Sequence, residues 1–390
     1  MNYKRTVRAC FVGYIVQAVV NNFIPLLFIT LQGQYSIPLP KITLLITVNF
    51  GVQLTVDLLS AFFVDKIGYR TSITAAHFFS AAGLILLPTL PELIDPYTGL
   101  LIAVCLYAIG GGLIEVLISP IMESCPTENK EKAMCLLHSF YCWGQVGVVL
   151  LSTLFFTAFG LNNWRILSYI WSLIPLANAV VFLKAPIAPL VPAEESEMTA
   201  FELFSNKTFW MLMLMMICAG ASELAVSQWA SFFAEKGLSV SKAVGDIAGP
   251  MTFAVLMGTS RAFYGKFGDK ISLNRFMTGS AVLCVISYLM ISLVPNSAVN
   301  LLGCAVCGLS VGIMWPGTFS RAAASLKRGG TALFSLLALA GDIGCSAGPT
   351  LVGFVSEDGG SMKTGILAAA VFPAVILICV SATAITGRTK

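Results

Sequence analysis

An all-α integral membrane fold, twelve spans in two pseudo-symmetric six-helix bundles, is what this sequence predicts. Three observations carry the prediction. Of 390 residues, 57% are hydrophobic and 11% charged, with a mean hydropathy of +0.86. Soluble domains carry about 25% charged residues, and a single core of this chain length cannot hide so much apolar surface. Apolar runs of about 20 residues, the length a bilayer demands, recur twelve times, and a short motif after the second run returns after the eighth.

The runs fall at 9–31, 41–64, 72–90, 99–121, 132–157, 164–183, 208–233, 245–265, 276–294, 299–323, 331–355 and 364–386. Turn residues separate them, as in QGQYSIPLP, PTLPELIDPYTG, GLNNW, VPNSAVN and SEDGGSMK, and none of these breaks can hold an extramembrane domain. The first run follows MNYKRTVRACF without a small-residue cleavage site, so it reads as a retained span and not a removed signal peptide. The longest connector, 184–207, contains the Pro-rich and then acidic APIAPLVPAEESE. It reads as a cytoplasmic linker between an N-terminal bundle, 1–183, and a C-terminal bundle, 208–390.

Orientation follows from the basic residues. With the N-terminus inside, 18 of the 23 Lys and Arg fall in inside segments. Among them are Lys4, Arg5 and Arg8, the group Arg261, Lys266, Lys270 and Arg275, then Arg321, Lys327 and Arg328, and finally Arg388 and Lys390. Lys41, Arg165, Lys236, Lys242 and Lys363 fall outside. Both termini are therefore expected in the cytoplasm, with the chain crossing the cell membrane many times. The net charge of +4 follows from this bias, with no nucleic-acid partner invoked. Eleven Cys are scattered, and the single close pair, Cys304 and Cys307, lies inside an apolar run with no His or second pair nearby. That pattern reads as helix packing in preference to a metal or redox site.

The repeated motif is AFFVDKIGYR, Ala61–Arg70, and GKFGDKISLNR, Gly265–Arg275, with Asp65-Lys66-Ile67 and Asp269-Lys270-Ile271 matching at an offset of 204 residues. Parallel six-span halves give transporters this internal symmetry. The first copy resembles the inter-helix motif of the major facilitator superfamily, G-x-x-x-D-[RK]-x-G-[RK]-[RK], with Ala61 at the first Gly and Tyr69 at a basic position. The second copy keeps Gly265, Asp269 and Lys270 and has Ser272 for the next Gly. NNWRILSY is similar to the W-R signature of that superfamily.

Longer stretches resemble one branch, the fucose:proton symporter-like sugar porters: GGGLIEVLISP in span 4, LLHSFYCWGQVG in span 5, CAGASELAVSQW in span 7, and GIMWPGTFSRAAASL with LALAGDIGCSAGPTLVGFVSE in spans 10 and 11. The resemblance implies the twelve-helix fold of the superfamily, transport by alternating access, and a proton-carrying Glu in span 4. The sequence departs from the branch at Asn21 and Asn22, near which those symporters carry an Asp, and at His138, which replaces an amide.

Polar residues recur at helical spacing within several spans. Span 1 gives Tyr14, Gln17 and Asn21, with Asn22 adjacent; span 2 gives Asn49, Gln53 and Asp57; span 4 gives Gly111, Glu115 and Ser119. Span 5 gives His138, Tyr141 and Gln145, and span 7 gives Glu223, Ser227 and Ser231. Lipid cannot satisfy these groups, so they face other helices or one shared polar cavity. For the amides, packing between helices at about 0.6–2 kcal/mol per hydrogen bond is the alternative. Candidate solute-binding residues are Gln17, Asn21, Asn22, Gln53, His138, Tyr141 and Gln145. Trp229 and Trp315 join them as faces for a sugar ring, or serve as packing aromatics.

A carboxylate in a bilayer costs about 2.5–3.5 kcal/mol on insertion scales, and an apolar setting disfavours its charged form. Such a group can load and release a proton as a cavity opens to either side. Glu115 is the first candidate for proton coupling, Glu223 and Asp57 the next. Asp65, Lys66 and Arg70, with Asp269 and Lys270, sit at helix ends among opposite charges and read as gating residues. Pro25, Pro316 and Gly110–Gly112 permit bending or close helix approach. His77 reads as a packing residue, while Asp342 fits an ion pair, a packing group or a coupling site equally well.

The expected function is secondary active transport of a small polar solute, most concretely proton-coupled symport of a monosaccharide. No cofactor is required: a proton gradient drives the cycle, with Na+ as the alternative ion. The expected partners are the solute and the lipid bilayer, and the chain is expected to act as a monomer. A drug or metabolite efflux antiporter is the rival within the same class. H-E-x-x-H, G-x-S-x-G and G-x-x-x-x-G-K-[ST] are all absent, which argues against an intramembrane enzyme and an ATP-driven pump. No loop is long enough for the signalling domain of a receptor.

Overall fold

The computed structural model describes residues 3–190, 197–231, 234, 239, 242–359 and 361–386. Residues 191–196 of the linker, Lys236, and the terminal Arg388 and Lys390 lie outside the described residues. Hydrocarbon offers no partners to backbone N–H and C=O groups, so apolar segments must pair them internally, and the helix does so. Among the described residues there is no strand.

Twelve spans follow in chain order. In the first half they are α1 (Lys4–Asn22), α2 (Leu39–Ile67), α3 (Tyr69–Leu86), α4 (Pro96–Ser124), α5 (Lys130–Phe159) and α6 (Trp164–Lys184). In the second they are α7 (Lys207–Ser227), α8 (Lys242–Phe267), α9 (Leu273–Leu293), α10 (Ser297–Ser325), α11 (Gly330–Gly359) and α12 (Met362–Ala369, continued by Val371–Thr386). Ten of these are long and apolar enough to cross a membrane. The other two, α3 and α8, are more polar because they bury polar side chains: Ser72, Thr74, His77 and Ser80 in α3, Ser260 and Arg261 in α8. The sequence groups Arg261 with the inside-segment charges at the end of the eighth span. The helix runs on to Phe267, so Arg261 lies within it and is buried.

Local chemistry sets the helix ends. Asp95 caps α4, accepting from the Thr98 N–H at 2.9 Å, with Pro96 in the first turn where its missing N–H costs nothing. Asn206 caps α7 through the Thr208 N–H, and Asn296 caps α10 through the Ala298 and Val299 N–H groups. After Asn22 the chain tightens into a 3₁₀ turn, Ile24–Leu27, around Pro25 before the short helix Phe28–Tyr35. In α10 the hydrogen-bond ladder is interrupted at Gly312 and Ile313, both still right-handed helical in backbone, because Pro316 has no N–H for the Gly312 carbonyl.

The chain packs as two compact units. The first comprises Met1–Pro126, Trp143–Ala200 and Arg328–Ser335; the second comprises Thr127–Cys142, Phe201–Lys327 and Leu336–Lys390. Each unit thus takes most of one sequence half and the opening turns of α5 or α11 from the other. The apolar core of the first unit gathers Phe23, Leu27, Leu31, Leu45, Tyr107 and Trp164. That of the second gathers Met215, Tyr264, Met277, Tyr288 and Met314. Large apolar side chains such as Leu154, Phe159, Leu173, Phe354 and Ile378 remain exposed, the surface a lipid solvent calls for.

At one end of the first unit, Arg165 pairs with Glu92, and Tyr35 donates to the same carboxylate at 2.8 Å. Trp164 donates its indole N–H to Gln34 at 2.9 Å. The W-R pair therefore fastens the start of α6 to the Phe28–Tyr35 helix and to the turn ahead of α4.

Close approach of α3 and α4 depends on Gly110. A Cβ there would lie 2.5 Å from the Ala76 carbonyl oxygen and 2.3 Å from Ser80 Oγ. We predict that Gly110→Val lowers stability by about 1–3 kcal/mol through forced separation of the two backbones. The check is the midpoint of thermal unfolding in detergent; an unchanged midpoint would show that the two helices have room to part.

Candidate solute and ion site

The polar stripes of α1, α2 and α4 meet in one network inside the first unit. Gln17 Nε2 donates both its hydrogens, one to Gln53 Oε1 and one to Glu115 Oε2, each at 2.9 Å. Gln53 Nε2 in turn donates to Asn21 Oδ1 at 2.9 Å, and Asn49 Nδ2 reaches the same oxygen at 3.2 Å. One turn below, Tyr14 OH and Ser119 Oγ lie 2.9 Å apart. The middle glycine makes this possible: a Cβ at Gly111 would lie 3.2 Å from Gln17 Oε1 and 3.4 Å from Gln53 Cδ. A side chain there would crowd the amides that join α1 to α2.

Gln17, Asn21, Gln53 and Glu115 are thus brought together. Asn22 is not: its amide donates to the Ala18 carbonyl of its own helix at 2.8 Å. Asp57, one turn beyond Gln53, is fully buried. Gln145 lies on α5 in the first unit, half-buried.

Within the second unit, His138 and Trp315 share an aromatic neighbour. The Phe319 ring lies 5.7 Å from His138 and 6.4 Å, edge-on, from Trp315. The Trp315 ring rests on Gly341 of α11, where a Cβ would come within 2.2 Å of it. Asp342, the next residue, is half-buried. Tyr141 is half-buried on α5, and Trp229 packs against the apolar core. Glu223 stands 3.6 Å from the guanidinium of Arg261. The sequence missed Arg261 as a partner for Glu223, since a basic residue near a helix end looks like any other interfacial charge.

The two motif copies engage in parallel ways. In the first unit Asp65 accepts from Thr331 Oγ1 in the opening turn of α11, and Tyr69 OH meets the same hydroxyl. Tyr69, where the motif has a basic residue, therefore acts by hydrogen bonding. Arg70 donates to the Leu183 carbonyl at 2.7 Å, at the end of α6. In the second unit Asp269 pairs with Lys132 and accepts from Asn129 Nδ2 at 3.0 Å, at the opening of α5. The Lys132 and Asn129 contacts hold the Asp269 carboxyl below the usual carboxylate value. Lys66 is exposed, as is Lys270.

Glu197 was not foreseen. It lies on the linker, its carboxyl against Gly330, and the Met198 N–H donates to the Arg328 carbonyl at 2.7 Å. Partial burial, and then the Asp65 carboxylate with which it shares a hydrogen bond, push Glu197 up to about 7. His77, by contrast, is structural. Its Nδ1 faces the Ile73 carbonyl and must donate, so Nε2 accepts from Asn178 Nδ2, both at 2.8 Å. Asn178 also reaches the Ala9 carbonyl, tying α1, α3 and α6 together.

A twelve-span helical protein with polar side chains joined inside each unit has the architecture of a membrane carrier. The chain belongs to the Major Facilitator Superfamily, whose profile matches residues 9–349. It is a transporter and not an enzyme. No curated protein matches it. Its fold is similar to that of FucP, a superfamily transporter solved in the outward conformation, at 18% identity and TM-score 0.82 over 98% of this chain and 99% of that one. A second structure of FucP, the E. coli fucose:proton symporter, is similar at TM-score 0.81, 18% identity and the same coverage. XylE, a proton:xylose symporter bound to 6-bromo-6-deoxy-D-glucose, is similar at 11% identity and TM-score 0.75, over 96% of this chain and 94% of that one.

The raised Glu197 makes a sign-specific prediction. Its protonated form is the one the fold favours, so its contribution is full below the ordinary value of 4.5 and is lost as pH climbs through about 7. Amide exchange at Met198 and across residues 328–333 should therefore rise over that window relative to a Glu197→Gln variant, measured at matched pH. The same pH profile in both proteins would contradict the assignment.

Proposed function

We propose that this transporter is a proton-coupled symporter of a small polyhydroxyl solute, a monosaccharide, working in the cell membrane with both termini in the cytoplasm. The observation that carries the reading is the wiring of Glu115: one amide, Gln17, bonds both the carboxylate and Gln53. Carboxamides offer donors and acceptors side by side, the pairing that a ring of hydroxyls requires. A solute that takes over hydrogen bonds of Gln17 or Gln53 alters what faces Glu115, so solute and proton act on one another through a shared side chain. Support comes also from the fold, which is similar to a fucose:proton symporter and a proton:xylose symporter.

In this scheme Glu115 takes a proton from one side, the solute exchanges with the amide network, and the two leave on the other side. Release of the proton restores the carboxylate as an acceptor for Gln17. Glu223 and Asp57 are the further carboxylates in reach of such a cycle. The motif residues Asp65 and Asp269, held by the opening turns of α11 and α5, serve as the gate. In proposing a gate we assign them a role in turnover and none in solute affinity.

Three measurements test this. Glu115→Gln in proteoliposomes should abolish uphill uptake driven by a proton gradient while sparing exchange of solute at equilibrium; a variant that concentrates solute as well as wild type would refute the coupling role. Gln53→Ala should raise the KM about fivefold, the loss of about 1 kcal/mol of hydrogen bonding. The solute class is tested by a panel of hexoses, deoxyhexoses, organic anions and lipophilic cations, read as thermal shift and as proton uptake without Na+. A response confined to lipophilic cations or organic anions would overturn the sugar reading in favour of efflux.

A further inference from the structure

The first unit holds a cavity that the proposed cycle leaves unused. It has a volume of about 490 Å³ and lies between Lys4, Arg5, Arg8 and Val12 of α1 and Asn178 and Val181 of α6. Small-molecule sites span about 300–1,000 Å³, so its size is that of a ligand pocket. Asn178, 3% exposed, bridges the two walls. Its amide donates to the Ala9 carbonyl at 3.0 Å and to His77 Nε2 at 2.8 Å, which fixes the spacing of α1 and α6 with the cavity already formed.

The lining changes character along the helices. Lys4, Arg5 and Arg8 occupy the first two turns of α1 and are exposed, whereas Val12, one turn further in, is half-buried, as is Val181 on α6. No acidic residue lines the space, and Arg5 and Arg8 have no carboxylate partner among the described residues. Three cations so placed repel one another. They also stand at the positive end of the helix dipole, where the first turn has no acidic residue and Tyr3 gives no side-chain cap. An anion among them relieves both, and the unpaired N–H groups of that turn face it as further donors.

The apolar end says which anion. Val180 and Leu183, on either side of Val181 in sequence, are 53% and 49% exposed, a face turned to lipid. A hydrated ion gains nothing from Val12 or Val181, while a phosphate that carries acyl chains uses both ends of the cavity. We infer that this cavity binds an acidic phospholipid, with Arg5 and Arg8 on its phosphodiester, Lys4 at the rim and an acyl chain along Val12 and Val181. Since α1 also carries Tyr14, Gln17 and Asn21, the lipid braces the helix on which the polar network is built. Which leaflet supplies it follows from the topology proposed above; the solute has no part in the site or in its test.

The test titrates dioleoyl phosphatidylglycerol onto the full-length protein, stripped of lipid in detergent, and counts bound lipid by native mass spectrometry. Wild type should retain one phosphatidylglycerol in preference to phosphatidylcholine. Arg5→Gln/Arg8→Gln should weaken that step about thirtyfold, the loss of two cation contacts, and Val181→Trp, which fills the apolar end, should weaken it as well. Lys266→Gln/Lys327→Gln removes the same charge from exposed lysines of the second unit and should leave the step unchanged. Equal losses in the two double variants would overturn the proposal, because attraction to any basic surface would then suffice. Displacement of the lipid by an equal concentration of sodium phosphate would overturn it in favour of a free-phosphate site. Thermal unfolding midpoints report whether the variants fold. If they do not, wild type decides alone: no preference for phosphatidylglycerol over phosphatidylcholine contradicts the assignment.

Discussion

Hydrocarbon supplies no hydrogen bonds, and this constraint shapes the molecule more than any single contact. Each polar side chain in a span must find its partner on another helix, on its own backbone, or in a polar space sealed from lipid. Gln17 meets the demand with both hydrogens of one amide, and by doing so joins α1, α2 and α4 at Glu115. His77 and Asn178 meet it by bonding to the Ile73 and Ala9 carbonyls and to each other. Arg261 meets it by gathering two carbonyls, a thiol and a carboxylate. The first of these arrangements joins three helices around a carboxylate, the second ties three helices together, and the third answers a buried guanidinium from three neighbouring helices.

Much of the fold was legible because the bilayer imposes length and composition on every span. The spans carry apolar runs, and the breaks between them carry Pro, Gly and Asn, which the structure uses as turns and caps. The polar network of the candidate site was legible where side chains repeat along one helix face: Tyr14, Gln17 and Asn21 meet the matching faces of α2 and α4. Asn22 fell on the wrong side of that face, since one residue of offset turns a helical side chain by roughly 100°. Partners separated by long stretches of chain were not legible. Nothing in a linear reading joins Asp65 to Thr331, Glu197 to Gly330 or Arg261 to Gly312. Those pairings arise because each unit takes in the opening turns of a helix from the other sequence half, or because Pro316 leaves the Gly312 carbonyl without its helical donor.

The repeat is preserved in architecture and altered in chemistry. Asp65 and Asp269 both reach the opening of the fifth span of the other half, α11 or α5. Asp269 finds a lysine there, and its charge is compensated. Asp65 finds a threonine hydroxyl and a tyrosine, with a second carboxyl, Glu197, alongside. One copy is thus held by an ion pair and the other by hydroxyl hydrogen bonds. The same division runs through the interior, where the first unit presents amides and the second an ion pair beside aromatic rings.

We propose that Glu115 exchanges a proton in response to what occupies the amide network around it. Infrared difference spectroscopy of the protein in lipid, recorded on addition of a hexose that gives a thermal shift, measures this most directly. The expected result is a change in the protonated-carboxyl stretch that is abolished in Glu115→Gln and perturbed in Gln17→Leu. A carboxyl signal that persists in Glu115→Gln, or none at all on binding, would contradict it.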